Sequence, residues 1–108
     1  MSGQKVKLIS LEGDARYTRL LGGAPETRGM KSGYVILQPG ESVGAHSTGL
    51  KEEAIIILEG ELQVILDGKF FMTAGKGQVL YIPPETQHDM KNAADTAARY
   101  IYVVAPVL

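Results

Sequence analysis

The sequence predicts an all-β domain, a sandwich or a barrel. Three observations carry this: turn signals recur at short intervals, the segments between them are short and rich in β-branched and other apolar residues, and no stretch sustains a helical period. The 108 residues include 13 glycines, well above the average share, as a chain of many turns requires. This length makes one domain, 1–108, with one core. A net charge of -1 and the absence of cysteine argue against nucleic-acid and anionic-membrane partners and exclude disulfides, thiolate metal sites and cysteine nucleophiles. No apolar signal segment follows Lys5, and apolar runs such as 54–58 are far too short to cross a bilayer. A soluble cytoplasmic protein is the expectation.

Taken in order, residues 5–11 read as a first strand and 16–21 as a second or an irregular edge piece, so that residues 1–25 supply N-terminal edge strands. Gly22, Gly23, Ala24 and Pro25 make a break, because proline cannot sit in a central ladder. The main barrel is expected over about 30–105. Residues 30–38 form a strand ended by Pro39 and Gly40, and 42–46 a short one. Residues 53–59, with three successive isoleucines, are strongly strand-like. Gly60 turns the chain into 62–66, and Asp67-Gly68 is a hairpin turn into 69–73. Strands at 78–82, 87–91 and 98–105 complete the chain, separated by Gly75 to Gly77, by Pro83-Pro84 and by 92–95.

The alternation of side chains adds an expectation about assembly. With Glu53 facing inward, Ile55 and Ile57 do too, which leaves Ala54, Ile56 and Leu58 outside. Residues 98–105 repeat the pattern, with Tyr100, Tyr102 and Val104 on one face and Ile101, Val103 and Ala105 on the other. Strands apolar on both faces are covered on both. Either residues 5–21 cover the outside or a second copy does; the homodimer is the expectation.

The only two histidines, His46 and His88, lie in two glycine-bounded stretches, 40–60 and 77–92. Two histidines and a carboxylate from separate strands can hold a divalent metal. Both stretches resemble the two sequence motifs of the cupin superfamily. Gly40, His46, Glu53 and Gly60 stand in register with the first, which carries a second histidine where this chain has Thr48. Gly77, Pro83, His88 and Asn92 stand in register with the second, with Glu85 in place of a glycine. The match covers about the central half of the chain. It implies a small single-domain cupin with a double-stranded β-helix, or jelly-roll, barrel.

The resemblance also implies a metal centre. Thr48 is too short to replace an imidazole at the same ion, which leaves His46, Glu53 and His88 as ligands of one divalent transition metal: Zn, Fe, Mn or Ni. Glu52 is the alternative to Glu53, but by alternation it faces the other way. Thr48, Gln87 and Tyr81 are candidates for the surrounding shell or pocket. Tyr34, Tyr100 and Tyr102 are further candidates to line the pocket, Lys51 and Arg99 to bind a carboxylate, and Tyr81 or Glu59 to act as acid or base. Asn92 reads as a turn residue. Two functions follow. One is a metal-dependent enzyme of isomerase, lyase or dioxygenase type acting on a small oxygen-bearing molecule; the other is a non-catalytic binding or sensing module, with or without metal.

Overall fold

Nine strands form among residues 3–107, the part described by the computed structural model, and no helix does. They are β1 (Tyr17–Gly22), β2 (Lys31–Leu37), β3 (His46–Ser47), β4 (Lys51–Glu59), β5 (Glu61–Leu66), β6 (Lys69–Gly75), β7 (Val79–Ile82), β8 (Gln87–Lys91) and β9 (Ala98–Pro106). The connections produce two antiparallel sheets, in the orders β1-β2-β9-β4-β7 and β3-β8-β5-β6. This is the jelly-roll arrangement of the double-stranded β-helix.

Period-two alternation puts the core between the sheets. Val35 and Leu37 of β2, Ile55 and Ile57 of β4 and Tyr100 of β9 face Leu62 and Val64 of β5 and Met90 of β8, all of them buried. The pairings Ile55↔Tyr102, Ile57↔Tyr100 and Ile56↔Ile101 fix the parity of β4 and β9 as the sequence implies. Asp67 and Gly68 both take positive φ, 50° and 78°, as the right-twisting two-residue hairpin turn requires. Asn92 is fully buried. Its amide donates to the carbonyls of Leu37 and Thr96 at 2.9 and 2.8 Å, and its Oδ1 accepts from Ala94 N–H. It therefore ties the turn before β9 to the end of β2, which is a structural role.

The expected strand at 5–11 does not form. Those residues run as an extended arm with no ladder partner. Gln4 donates to the Pro25 carbonyl, Lys7 pairs with Glu26, and Asp14 lies 3.8 Å from Arg99. Arg99 belongs to β9, an interior strand, so at Asp14 the arm lies over the sheet's outer face instead of beside its edge. Apolar alternation suits a strand, but ladder bonds need a free edge to bond to. Val6 and Leu8 are fully exposed, whereas Tyr34 and Ile36, on the outer side of β2, are buried. The segment 42–46 is also shorter than expected. Its ladder starts only at His46, and Ser42 makes an isolated bridge to Lys91.

Glu85, which stands where the family motif has glycine, keeps a glycine-like backbone with φ at 59°. The turn after Pro84 dictates this, since the second central residue of a type II turn has positive φ. Its side chain is exposed, so glycine would relieve strain without losing a contact. Glu85→Gly is expected to raise stability by up to about 1 kcal/mol, read as a later urea midpoint at constant slope.

Candidate metal centre and pocket

His46 and His88 come together through one register. β3 and β8 pair so that the two residues are direct cross-strand partners, which places both imidazoles on one face. The ring centroids lie 4.3 Å apart. Glu53 arrives from the opposite sheet, on β4, in the row Val104–Glu53–Ile82. One nitrogen from each histidine and one carboxylate oxygen lie within 4.8 Å of one another. Glu53 and His88 are buried, while His46 is open to the pocket.

The histidines are held in the same way. His46 Nδ1 is 2.9 Å from the Gly44 carbonyl, and His88 Nδ1 is 3.0 Å from the Thr86 carbonyl. A carbonyl only accepts, so each Nδ1 carries a proton, and the neutral tautomer of each ring is the one with its lone pair on Nε2, the form that binds metal. His88 Nε2 is buried and makes no aligned hydrogen bond, although Glu53 Oε1 is only 3.0 Å away. Closeness without alignment is what two ligands of a common ion show: donors about 2.1 Å from an ion, at near-right to tetrahedral angles, stand about 3.0–3.4 Å apart. The three residues thus fit a divalent cation, with further coordination positions open. Burial acts to lower the His88 pKa, but Glu53, the Thr86 carbonyl and Asp89 outweigh it and leave the pKa above its usual value.

Thr48 does not stand in as a shortened ligand. Its hydroxyl donates to the Pro83 carbonyl at 2.7 Å and accepts from Thr86 N–H at 3.1 Å, pinning the turn that leads into β8. It is buried and lines the pocket.

The cavity beside the three ligands has a volume of about 520 Å³, within the range that holds a small organic molecule. Val35, Val43, Tyr100 and Val104 form apolar wall, and Arg19, Lys31 and Lys51 stand among the lining residues. Tyr17 and Tyr102 stack there, their hydroxyls 2.6 Å apart. The Tyr102 ring lies over Gly33, where a Cβ would come within 2.5 Å of it, so glycine at 33 is what admits the ring. Burial first, and then the bond to Tyr17, hold the Tyr102 phenol well above its usual pKa and keep it a proton donor.

Other expected residues fall elsewhere. Tyr81 is exposed on the outer face of β7 and donates to Glu52, which also faces outward. It is opposite Ala54, the parity that excludes Glu53's side of the sheet. Gln87 is exposed on β8, on the alternate face from His88. Neither lines the pocket. Glu59 and Arg99 pair with each other, and Arg99 donates to Tyr34, all away from the cavity. Lys51 does line the cavity, as do Tyr100 and Tyr102. Tyr17, Arg19 and Lys31 were missed. The signal for them is pairing parity: Tyr17 and Arg19 stand opposite Val35 and Gly33, and Lys31 shares their face.

The fold and site define a β-barrel with an interior pocket and a His-His-Glu group suited to a cation. The chain belongs to the cupin family: the family's profile, described as "Cupin domain", matches residues 33–104. Among curated proteins it resembles "Polyketide synthase CurC" of Streptomyces cyaneus, 36% identical over 87 residues that make up 77% of this chain and 55% of that protein. The chain thus spans about half the length of that relative. "Protein SchB" of Streptomyces halstedii is 28% identical over 116 residues, with 99% of this chain and 83% of that protein covered. Among solved structures, a Cupin 2 conserved barrel domain protein from Salinispora arenicola superposes with a TM-score of 0.74 at 20% identity, over 94% of this chain and 92% of that one. An RmlC-like cupin family protein from Methanocaldococcus jannaschii gives 0.73 at 22% identity, over 94% and 91%. At these identities the structures establish the fold alone.

Thr48→Val keeps the shape of the side chain and removes both hydroxyl bonds. It is expected to cost about 1–2 kcal/mol of unfolding free energy while metal affinity, measured by chelator competition, stays at the wild-type value. Loss of the metal in this variant would make Thr48 part of the ion's own shell.

Proposed function

We propose that this protein is a metal-dependent cupin that binds and transforms a small oxygen-bearing organic molecule beside His46, Glu53 and His88. The matched tautomers of the two histidines carry this reading, because each Nδ1–H bond leaves Nε2 free to ligate. The similarity to a protein named as a polyketide synthase supports a polycarbonyl compound as the substrate class. A bound Zn, Fe, Mn or Ni ion would supply a Lewis acid for carbonyl or enolate oxygen. The chain's own residues do the rest. Val35, Val43 and Tyr100 exclude water from the carbon skeleton. The Tyr17–Tyr102 pair presents a phenol that can donate a hydrogen bond to a substrate oxygen and stabilise charge developing there in an isomerase- or lyase-type reaction. Tyr102 lines the cavity, as Tyr81 and Glu59 do not.

A second reading, non-catalytic binding, has one observation behind it. Apart from Glu53 and His46, the ionisable groups lining the pocket are phenols and cations, so no further carboxylate or imidazole is available as a base. The first reading needs the metal; the second stands with or without it. Competitive titration with a coloured chelator at fixed pH is expected to give one ion per chain for the wild type, and none for His46→Ala or His88→Ala with an unchanged circular dichroism spectrum. A wild-type protein that binds no divalent ion would recast both histidines as hydrogen-bonding groups for an organic ligand.

The outer face of the larger sheet is proposed to pair with a second copy of this chain. Ile56, Ile101 and Val103 face outward and are half-buried, and Val6 and Leu8 project fully from the arm. Ile56→Glu would bury an unpaired charge there. Light scattering is expected to find a dimer for the wild type at micromolar concentration and a monomer for Ile56→Glu; a monomeric wild type removes the pairing.

A further inference from the structure

We propose that the mouth of the pocket is a carboxylate-binding subsite formed by Arg19, Lys31 and Lys51, so that the ligand is an organic acid: an oxygen pair at the metal end and a carboxylate at the mouth. The inference deepens the proposed function and rests on it for the metal end alone.

Strand parity puts the three cations on the inner side. Lys31 and Glu53 both stand opposite Val104, one from β2 and the other from β4, so they share a cross-strand row. Lys51 precedes Glu53 by two residues on β4 and therefore shares its face. Arg19 is opposite Gly33, two residues from Lys31. Counted between backbones, Lys51 lies about 7 Å from Glu53 along the strand, Lys31 about 10 Å away across two strand spacings, and Arg19 one strand further out, within reach only through its long side chain. A ligand of a few carbons held at the metal centre reaches that far.

Charge compensation is missing at this place. The cavity lining contains Arg19, Lys31 and Lys51 against the single carboxylate Glu53, which belongs to the metal end beside His88. Among the described residues, Lys31 and Lys51 pair with no carboxylate. Arg19 has Glu26 as an electrostatic neighbour, but Glu26 lies outside this cavity and is bonded to Lys7. In a chain of net charge -1, three cations lining one cavity against a single carboxylate make a local positive field that favours an anionic ligand. A planar guanidinium and two ammonium groups on one rim suit a carboxylate. The apolar wall of Val35, Val43, Tyr100 and Val104 spans the interval between the two ends.

Two probes separate the ends: acetylacetone, a neutral diketone, and succinylacetone, the same diketone with a carboxylate-bearing arm. Calorimetry is run on metal-loaded and chelator-stripped protein. The metal-loaded wild type is expected to bind succinylacetone about tenfold more tightly than acetylacetone, as a charge-assisted contact would give. Added salt should shrink that advantage. The Lys31→Gln/Lys51→Gln double variant should reduce succinylacetone to the affinity of acetylacetone. If the protein takes up no metal and ignores acetylacetone, yet stripped wild type still binds succinylacetone more tightly than the double variant does, the subsite stands and the metal reading falls. Equal affinity for both probes, an advantage insensitive to salt or retained in the double variant, or no binding of succinylacetone by either form overturns the subsite.

Discussion

The site depends on a two-residue register. β3 meets β8 with His46 opposite His88, and this pairing brings the two rings together. A slip of one residue would turn one imidazole to the outside, because the side-chain period of a strand is two. The register is held from both sides. Val43 N–H bonds the Met90 carbonyl just before β3, and Thr48 locks onto Pro83 and Thr86 just after it. Each histidine then bonds a carbonyl two residues earlier in its own chain. Local geometry thus sets the tautomer, and the pairing sets the position.

The larger sheet contributes a gradient. At one end its inner face is aliphatic, with Leu37 and Ile57 packed against Leu62. Toward the other end the same strands change to Tyr102, Glu53, Lys51 and Lys31. The core and the pocket are one continuous interior that grows more polar toward that end, and Glu53 sits near the change. Gly33 belongs to this design too, since its missing side chain is the space that the Tyr102 ring fills.

Much of this was legible in the sequence. His46, Glu53 and His88 are readable because spacing to Gly40, Gly60 and Gly77 fixes their places, and alternation then rejects Glu52. The parity of β4 and β9 is readable for the same reason. Tyr81 misled because residues 78–82 are apolar at most positions, so their parity comes from the pairing with β4 and not from the pattern. Arg19 and Lys31 stayed hidden because their inward parity comes from the pairing of β1 with β2 opposite Gly33 and Val35, and a glycine at 33 leaves no apolar alternation to read it from. The arm at 5–11 has the composition of a strand, and composition does not say whether an edge is free to receive it.

The strands that carry the three ligands differ greatly in length. Glu53 rides on nine residues and His88 on five, but His46 rides on two, at the border of its sheet. The ladder itself holds His46 by little, so its place depends on the bonds that flank β3, from Val43 to Met90 before it and from Thr48 to Pro83 and Thr86 after it. Two donors are seated within longer strands and one is suspended between two clasps. The suspended donor is also the exposed one at the cavity wall, so the barrel's most accessible ligand rests on turn chemistry and not on sheet.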